Sequence, residues 1–176
     1  MASTRKIKSK ELKSFGEFTR TILEFIFNSA KDSQRIDLIF DSYTEKSPKD
    51  SERKRRSTVS PIELNILNKN TPLPVEMGRF WASSNNKLKL QLLIHQEALA
   101  MSIEKSMNGQ LLVSNFTGMI TGRVPCYSCN DKTCVEIPEL VNDIEEADAR
   151  IILHAMHAAK NGIDKLVILL LILMFL

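Results

Sequence analysis

The run Asn142-Asp143-Ile144-Glu145-Glu146-Ala147-Asp148-Ala149-Arg150 concentrates the chain's most chemically suggestive side chains. It places Glu145, Glu146 and Asp148 in the first turn of a predicted helix over about 143–160, with Asn142 or Asp143 as its cap. Carboxylate oxygens clustered at the end of an element are what a hard divalent cation such as Mg²⁺ or Mn²⁺ requires. Glu146 and Asp148 are two residues apart and point roughly 200° apart around a helix. Both reach one site only at a helix N-terminus, where the site lies along the axis. The same acids are also favoured there by the helix dipole, with no function attached. Upstream, Asp41 closes the apolar run Arg35-Ile-Asp-Leu-Ile-Phe-Asp41, at the end of a strand where open α/β sheets place ligands. Asp41, Glu146 and Asp148 are therefore the expected metal ligands and catalytic acids, with Glu145 as a further ligand.

A basic helix follows Asp41. Ser47 can cap it, Pro48 suits its first position, and Lys46 to Arg56 holds six basic residues in eleven. Lys49, Arg53 and Arg55 are the expected phosphate contacts, acting as a non-specific electrostatic clamp. A solvated charged face, or a nuclear localisation signal at Lys54-Arg55-Arg56, explains the same charges. Cys126-x₂-Cys129-x₄-Cys134 could supply three zinc thiolates, but the second CxxC pair is missing. That argues against zinc and for a cysteine-containing loop. His154 lies beside the apolar stripe of the late helix and reads as a hydrogen-bonded, half-core residue rather than a ligand. No serine or cysteine triad arrangement and no glycine-rich phosphate loop stands out, so no small-molecule cofactor is implied.

The elements that would position these residues are legible. Leu12, Phe15, Phe18, Ile22, Phe25 and Ile26 repeat at helical spacing across 11–30, with Gly16 a weak spot. Residues 57–75, with Pro61, Pro72 and Pro74, read as a loop. Residues 76–106 read as largely helical, with Phe80, Trp81, Leu88, Leu92 and Leu99 contributing to the core. Gln110–Phe116 reads as a strand after an Asn-Gly turn, and Gly118, Gly122 and Pro125 break regular structure beyond it. In the late helix, Ala147, Ile151, Ala155 and Ala158 form an apolar stripe widened by Ile152, Met156 and Ala159. Gly162 fits the position just past its end. The 11-residue apolar run Leu166–Leu176 is too short for a spanning helix and reads as a buried strand; a short membrane anchor is the alternative.

The bulk numbers agree with one domain. The chain has 176 residues, 43% hydrophobic content and a net charge of only +3. Its basic charge is local. Three cysteines, an odd count, and an N-terminus without an apolar signal core point to a reducing, intracellular setting, nuclear or cytoplasmic, and not to secretion. A membrane association is not expected. The expected architecture is α/β, with a mainly parallel central sheet flanked by helices. The strands at 35–41 and 166–174 should be near neighbours with their C-terminal ends on one edge.

Ile39-Phe40-Asp41, with Lys49 and Arg55 on the basic helix, resembles the Phe-Asp segment of flap-endonuclease-type (PIN-like) nucleases. Glu146-Ala147-Asp148 resembles their Glu-Ala-Glu motif. Asp37-Leu-Ile-Phe-Asp-Ser-Tyr43, Ile137-Pro-Glu-Leu140, Glu145-Glu-Ala-Asp-Ala-Arg150 and Leu153-His-Ala-Met-His-Ala-Ala159 are similar to segments of a group of PIN-like proteins in animal genomes, linked to mobile elements. The resemblance covers about residues 11–170, leaving a basic tail over 1–10. It implies a PIN-like domain with metal-dependent, structure-selective nuclease chemistry on nucleic acid, DNA above all. One departure matters. Family members complete the metal site with an Asp-Thr-Asp type motif after the late helix, whereas no acid follows Asp164 here. Two-metal phosphoryl chemistry needs several anionic oxygens. The expectation is therefore a degenerate or C-terminally truncated nuclease-like domain, with cation binding weak or lost. A non-catalytic nucleic-acid-binding remnant is the second reading, and a tail-anchored protein the third.

Overall fold

The computed structural model describes residues 12–40, 60–65, 67–104, 110–115, 125–130, 133–144 and 147–171. In chain order these form α1 (Phe15–Ser29), β1 (Arg35–Phe40), α2 (Met77–Trp81), α3 (Ser84–Glu104), β2 (Leu111–Asn115), β3 (Cys126–Cys129), β4 (Cys134–Glu136), a 3₁₀ turn (Pro138–Leu140), α4 (Ala147–Lys160) and β5 (Leu166–Leu171). The strands make a five-stranded sheet in the order β4-β3-β2-β1-β5.

The α/β architecture with flanking helices is as expected, but the sheet is mixed rather than mainly parallel. β1 pairs in parallel with β2 and with β5. β3 pairs antiparallel with both β2 and β4. The cause is local. The Cys126–Cys134 segment, expected as a loop, folds into a hairpin, and its short connection cannot carry a parallel crossover. The expected neighbours β1 and β5 are directly paired, Arg35 opposite Leu166 through Phe40 opposite Leu171. The described part of the final apolar run is thus a strand, flanked by no further strand among the described residues. No helix among them is long and apolar enough to cross a membrane.

Alternation along β1 divides the interior in two. Ile36, Leu38 and Phe40 face α1 and α3, packing with Phe15, Phe18, Leu23, Leu90 and Ile94. Arg35, Asp37 and Ile39 project to the opposite face, where α4 packs across β1 and β5. A smaller apolar cluster of Val113, Cys126, Ile137 and Leu140, with Leu153 of α4, lies on that side.

Ser14 caps α1 by accepting from the Glu17 N–H, and Glu17 reaches back to the Lys13 N–H at 2.7 Å. The helical stretch predicted over 76–106 breaks at Ala82–Ser83 into α2 and α3. Phe80 is fully buried, as expected, but Leu92 is 36% exposed. The buried stripe of α3 is instead Leu90, Ile94, Ala98 and Met101, joined by Asn86, Gln91 and His95. Polar residues on the inner face hid that stripe from a purely apolar count. Asn86 shows why they are tolerated. Its amide donates to the Ile62 and Phe80 carbonyls and accepts from the Leu64 N–H, tying the 60–65 segment to α3.

Gly16, a weak point in the helical pattern, is required by a close approach. Its N–H donates to the Lys69 carbonyl at 2.9 Å. A Cβ on it would stand 2.6 Å from that oxygen and 2.8 Å from the Lys69 Cβ. Gly16→Ala should therefore destabilise the fold by about 1–3 kcal/mol, because backbone must move, against a helix-propensity gain of at most about 1 kcal/mol. Thermal unfolding of the variant checks this; an unchanged or higher midpoint would refute it.

Candidate functional site

The face between the sheet and α4 contains a charged network that apolar patterning does not announce. Arg35 and Asp37 are two apart on β1, so both side chains leave the strand on one face. They are 1% and 0% exposed. The Arg35 guanidinium grips Asp37 at two points, Nε to Oδ1 at 2.6 Å and an Nη to Oδ2 at 2.7 Å. This is the bidentate geometry that makes an arginine–carboxylate pair strong and directional. Two histidines of α4 close the network. His154 Nδ1 lies 2.7 Å from Asp37 Oδ2, and Arg35 Nη1 lies 2.9 Å from His157 Nδ1.

The donors fix the tautomers. A guanidinium only donates, so His157 Nδ1 must be the unprotonated, accepting nitrogen. Burial, with the adjacent Arg35 charge, pulls the His157 pKa down and keeps that ring neutral. His154 is the reverse: Asp37 accepts, so Nδ1 of His154 carries the proton. Its Nε2 is buried and has no hydrogen-bond partner among the described residues.

An aspartate orienting a histidine is half of a nucleophile-activating arrangement. Among the described residues the other half is missing: His154 is fully buried, and no hydroxyl or thiol meets its Nε2. The thiol within electrostatic range of this network is Cys126, on β3. Burial first, and Asp37 second, push its pKa up to about 12, against the opposing pull of Arg35 and Arg150. Cys126 is held as an inert thiol. The network thus acts as a latch between α4 and β1.

It also sets direction. His154 sits opposite Asp37 and His157 opposite Arg35, so α4 runs antiparallel to β1. The start of α4 therefore lies toward the C-terminal end of β1. There Asn115, the last residue of β2, is buried and clamps Phe40 by its side chain. Its Oδ1 accepts from the Phe40 N–H at 2.8 Å, and its Nδ2 donates to the Phe40 carbonyl at 3.2 Å. The side-chain amide replaces a ladder partner just where β1 ends.

Asp148 lies in the first turn of α4 and is exposed. Asp41, Glu145, Glu146, Lys49, Arg53 and Arg55 lie outside the described residues. Among the described residues no group of three or more His, Cys, Asp or Glu side chains could hold a metal ion. The Cys126, Cys129, Cys134 set is not brought together for zinc. Cys129 and Cys134 are joined in a disulfide, and Cys126 belongs to the other face of the sheet.

His154 is a hydrogen-bonded core residue, as the sequence suggests. The stripe predicted for its helix is displaced, however. Arg150, His154 and Ala158 are the buried positions, while Ile152 and Met156 are 63% and 67% exposed. Arg35, Asp37, Arg150 and His157 were not among the expected site residues. A signal did exist: an Arg-x-Asp pair inside an apolar strand, and Arg150, His154 and His157 at helical spacing on one side of α4. No protein-family model, curated protein or solved structure matches this chain.

Proposed function

We propose that this chain is a PIN-like, nuclease-derived domain that binds nucleic acid and a divalent cation. The observation that carries the reading is the antiparallel seating of α4 on β1, fixed by the His154–Asp37 and His157–Arg35 contacts. From His154 back to Asp148 is about 9 Å along the helix. From Asp37 forward to Phe40 is about 10 Å along the strand. Both displacements run toward the same sheet edge, and Asp41 is the next residue in the chain after Phe40. Such an edge is where open α/β sheets bind ligands.

Asp41, Glu146 and Asp148, with Glu145, would supply oxygen ligands to Mg²⁺ or Mn²⁺. Lys49, Arg53 and Arg55 would hold phosphates by charge. A cation held by these carboxylates would supply Lewis-acid polarisation of a phosphodiester and of a water, while the chain's own residues would bind and position the substrate. β5, Leu166–Leu171, adds no acid at that edge. This favours one weakly held cation over a two-metal centre, and binding over rapid cleavage.

The test uses a branched DNA duplex, with Mn²⁺ titrated into wild type and Asp148→Ala. Wild type should bind DNA with an affinity that falls steeply with salt. Mn²⁺ should tighten that binding, and Asp148→Ala should remove the Mn²⁺ increment while keeping the salt dependence. Any slow cleavage should vanish with Asp148→Ala; equal background cleavage in both would reject a catalytic role. Absence of binding at low salt would reject the whole reading.

A further inference from the structure

The sheet sorts the three cysteines. Cys126 and Cys129 are three apart on β3 and so lie on opposite faces. Cys126 belongs to the cluster under α4, and Cys129 to the core beneath α1 and α3. Cys134 stands directly opposite Cys129 in the β3–β4 register, and the two form a disulfide. Its two ends differ in access: Cys129 is fully buried and Cys134 is exposed. β4 is three residues long, exposed throughout, and is the edge strand whose sheet neighbour is β3. The connecting turn is held by Asn130, which bonds Thr133 through backbone and side chain.

We propose that Cys129 and Cys134 form a reversible thiol–disulfide exchange site, opened by small-molecule thiols at Cys134, that clasps β4 to the sheet. A thiolate attacks the exposed Cys134 sulfur. The Cys129–Cys134 bond breaks, and Cys129 departs with the electron pair and takes up a proton. A second small thiolate then attacks the small-molecule sulfur of the mixed disulfide. Cys134 is released as a thiol and the small molecule leaves as its own disulfide. One protein disulfide and two small thiols become two protein thiols and one small disulfide. Cys126 takes no part: the sheet stands between it and the pair, and its own environment keeps it protonated. In a reducing setting, disulfides are mostly transient and redox-sensing. An exposed sulfur on a short edge strand fits that use. Loss of the clasp leaves β4 held, among the described residues, by its backbone pairing to β3, while Ile137 stays anchored by its N–H bond to the Cys126 carbonyl at 2.8 Å.

This inference does not depend on the cation and nucleic-acid reading. Full-length protein is equilibrated in glutathione buffers of varied ratio, acid-quenched, denatured and alkylated, and its labelled cysteines are mapped by mass. One labelled cysteine, Cys126, is expected under oxidising conditions and three under reducing ones, the change of two arriving in a single transition. Native labelling should leave Cys126 unmodified throughout. Hydrogen exchange of residues 134–136 should accelerate by more than about tenfold on reduction, and Cys134→Ser should exchange at the reduced rate in every buffer. Three labels at all ratios, a disulfide that includes Cys126, or unchanged exchange at 134–136 would overturn the proposal.

Discussion

Asp37→Ala is expected to destabilise the protein by about 3–5 kcal/mol, the largest loss from any single polar side chain described above. Asp37 is the carboxylate on which the buried Arg35 converges, at 2.6 and 2.7 Å, and it also accepts from His154. Removing it leaves a guanidinium in a site that is 1% exposed, with neutral His157 still accepting from it. It also orphans the His154 Nδ1–H. The cost is that of an uncompensated buried charge rather than of one lost contact. A whole domain is stable by only about 5–15 kcal/mol, so the variant should sit near the edge of folding. Urea unfolding of wild type, Asp37→Ala and the double variant Arg35→Leu/Asp37→Leu separates the causes. The double variant removes both charges, and is expected to be at least as stable as Asp37→Ala alone. If Asp37→Ala loses under about 1 kcal/mol, the network is not the latch between α4 and β1.

That latch marks the boundary of what the sequence alone makes legible. Phe15, Phe18, Ile22 and Ile26 repeat at helical spacing and are buried in α1. The apolar runs at 35–40 and 166–171 become adjacent parallel strands. Gly162 adopts φ +70° past α4 and closes it, with Gly162 N–H to Ala159 and Ile163 N–H to Ala158 at 3.1 Å each. In each case one local rule and the tertiary environment agree. They part where polar residues are buried. α4 turns His154 inward onto Asp37 and sets His157 against Arg35, so each histidine has its partner over a hundred residues away. No window of one helix contains that partner. Asn86 and His95 on α3 likewise find partners outside their own helix, Asn86 at Ile62, Leu64 and Phe80 and His95 at Ser114. The hairpin at Cys126–Glu136 was hidden differently: its strands are four and three residues long, too short for alternation to show. For the candidate site, Asp148 is at the start of α4 as expected. The direction that helix takes across β1 is set by His154 and His157, whose roles emerge only in three dimensions.

Acidification should destabilise the protein through His95. Its ring lies in α3 against the sheet, 5% exposed, with Nδ1 2.9 Å from the Ser114 hydroxyl and Tyr127 across from it at 6.0 Å between centroids. Burial lowers its pKa from 6.5 to about 4. The unfolded chain therefore takes up a proton on His95 near pH 6.5, while the folded protein resists until about pH 4. Between those values the unfolded state binds more protons, so stability rises with pH there and falls as pH drops. The loss begins below about pH 6.5 and is complete below about pH 4, amounting to about 3 kcal/mol. His157, whose pKa is also lowered, adds in the same direction. Carboxylates titrate in the lower part of this window, so the measurement is a difference. Unfolding free energies of wild type and His95→Gln are compared at pH 7 and pH 4. Wild type should lose about 3 kcal/mol more than the variant over that span, since His157 and the carboxylates are common to both. His95→Gln should be the less stable of the two at pH 7, where the imidazole is neutral and bonded to Ser114, and the gap should narrow or reverse at pH 4. Parallel pH profiles would mean that His95 charges as readily in the folded protein as in the unfolded chain, and that the core beneath α3 admits water.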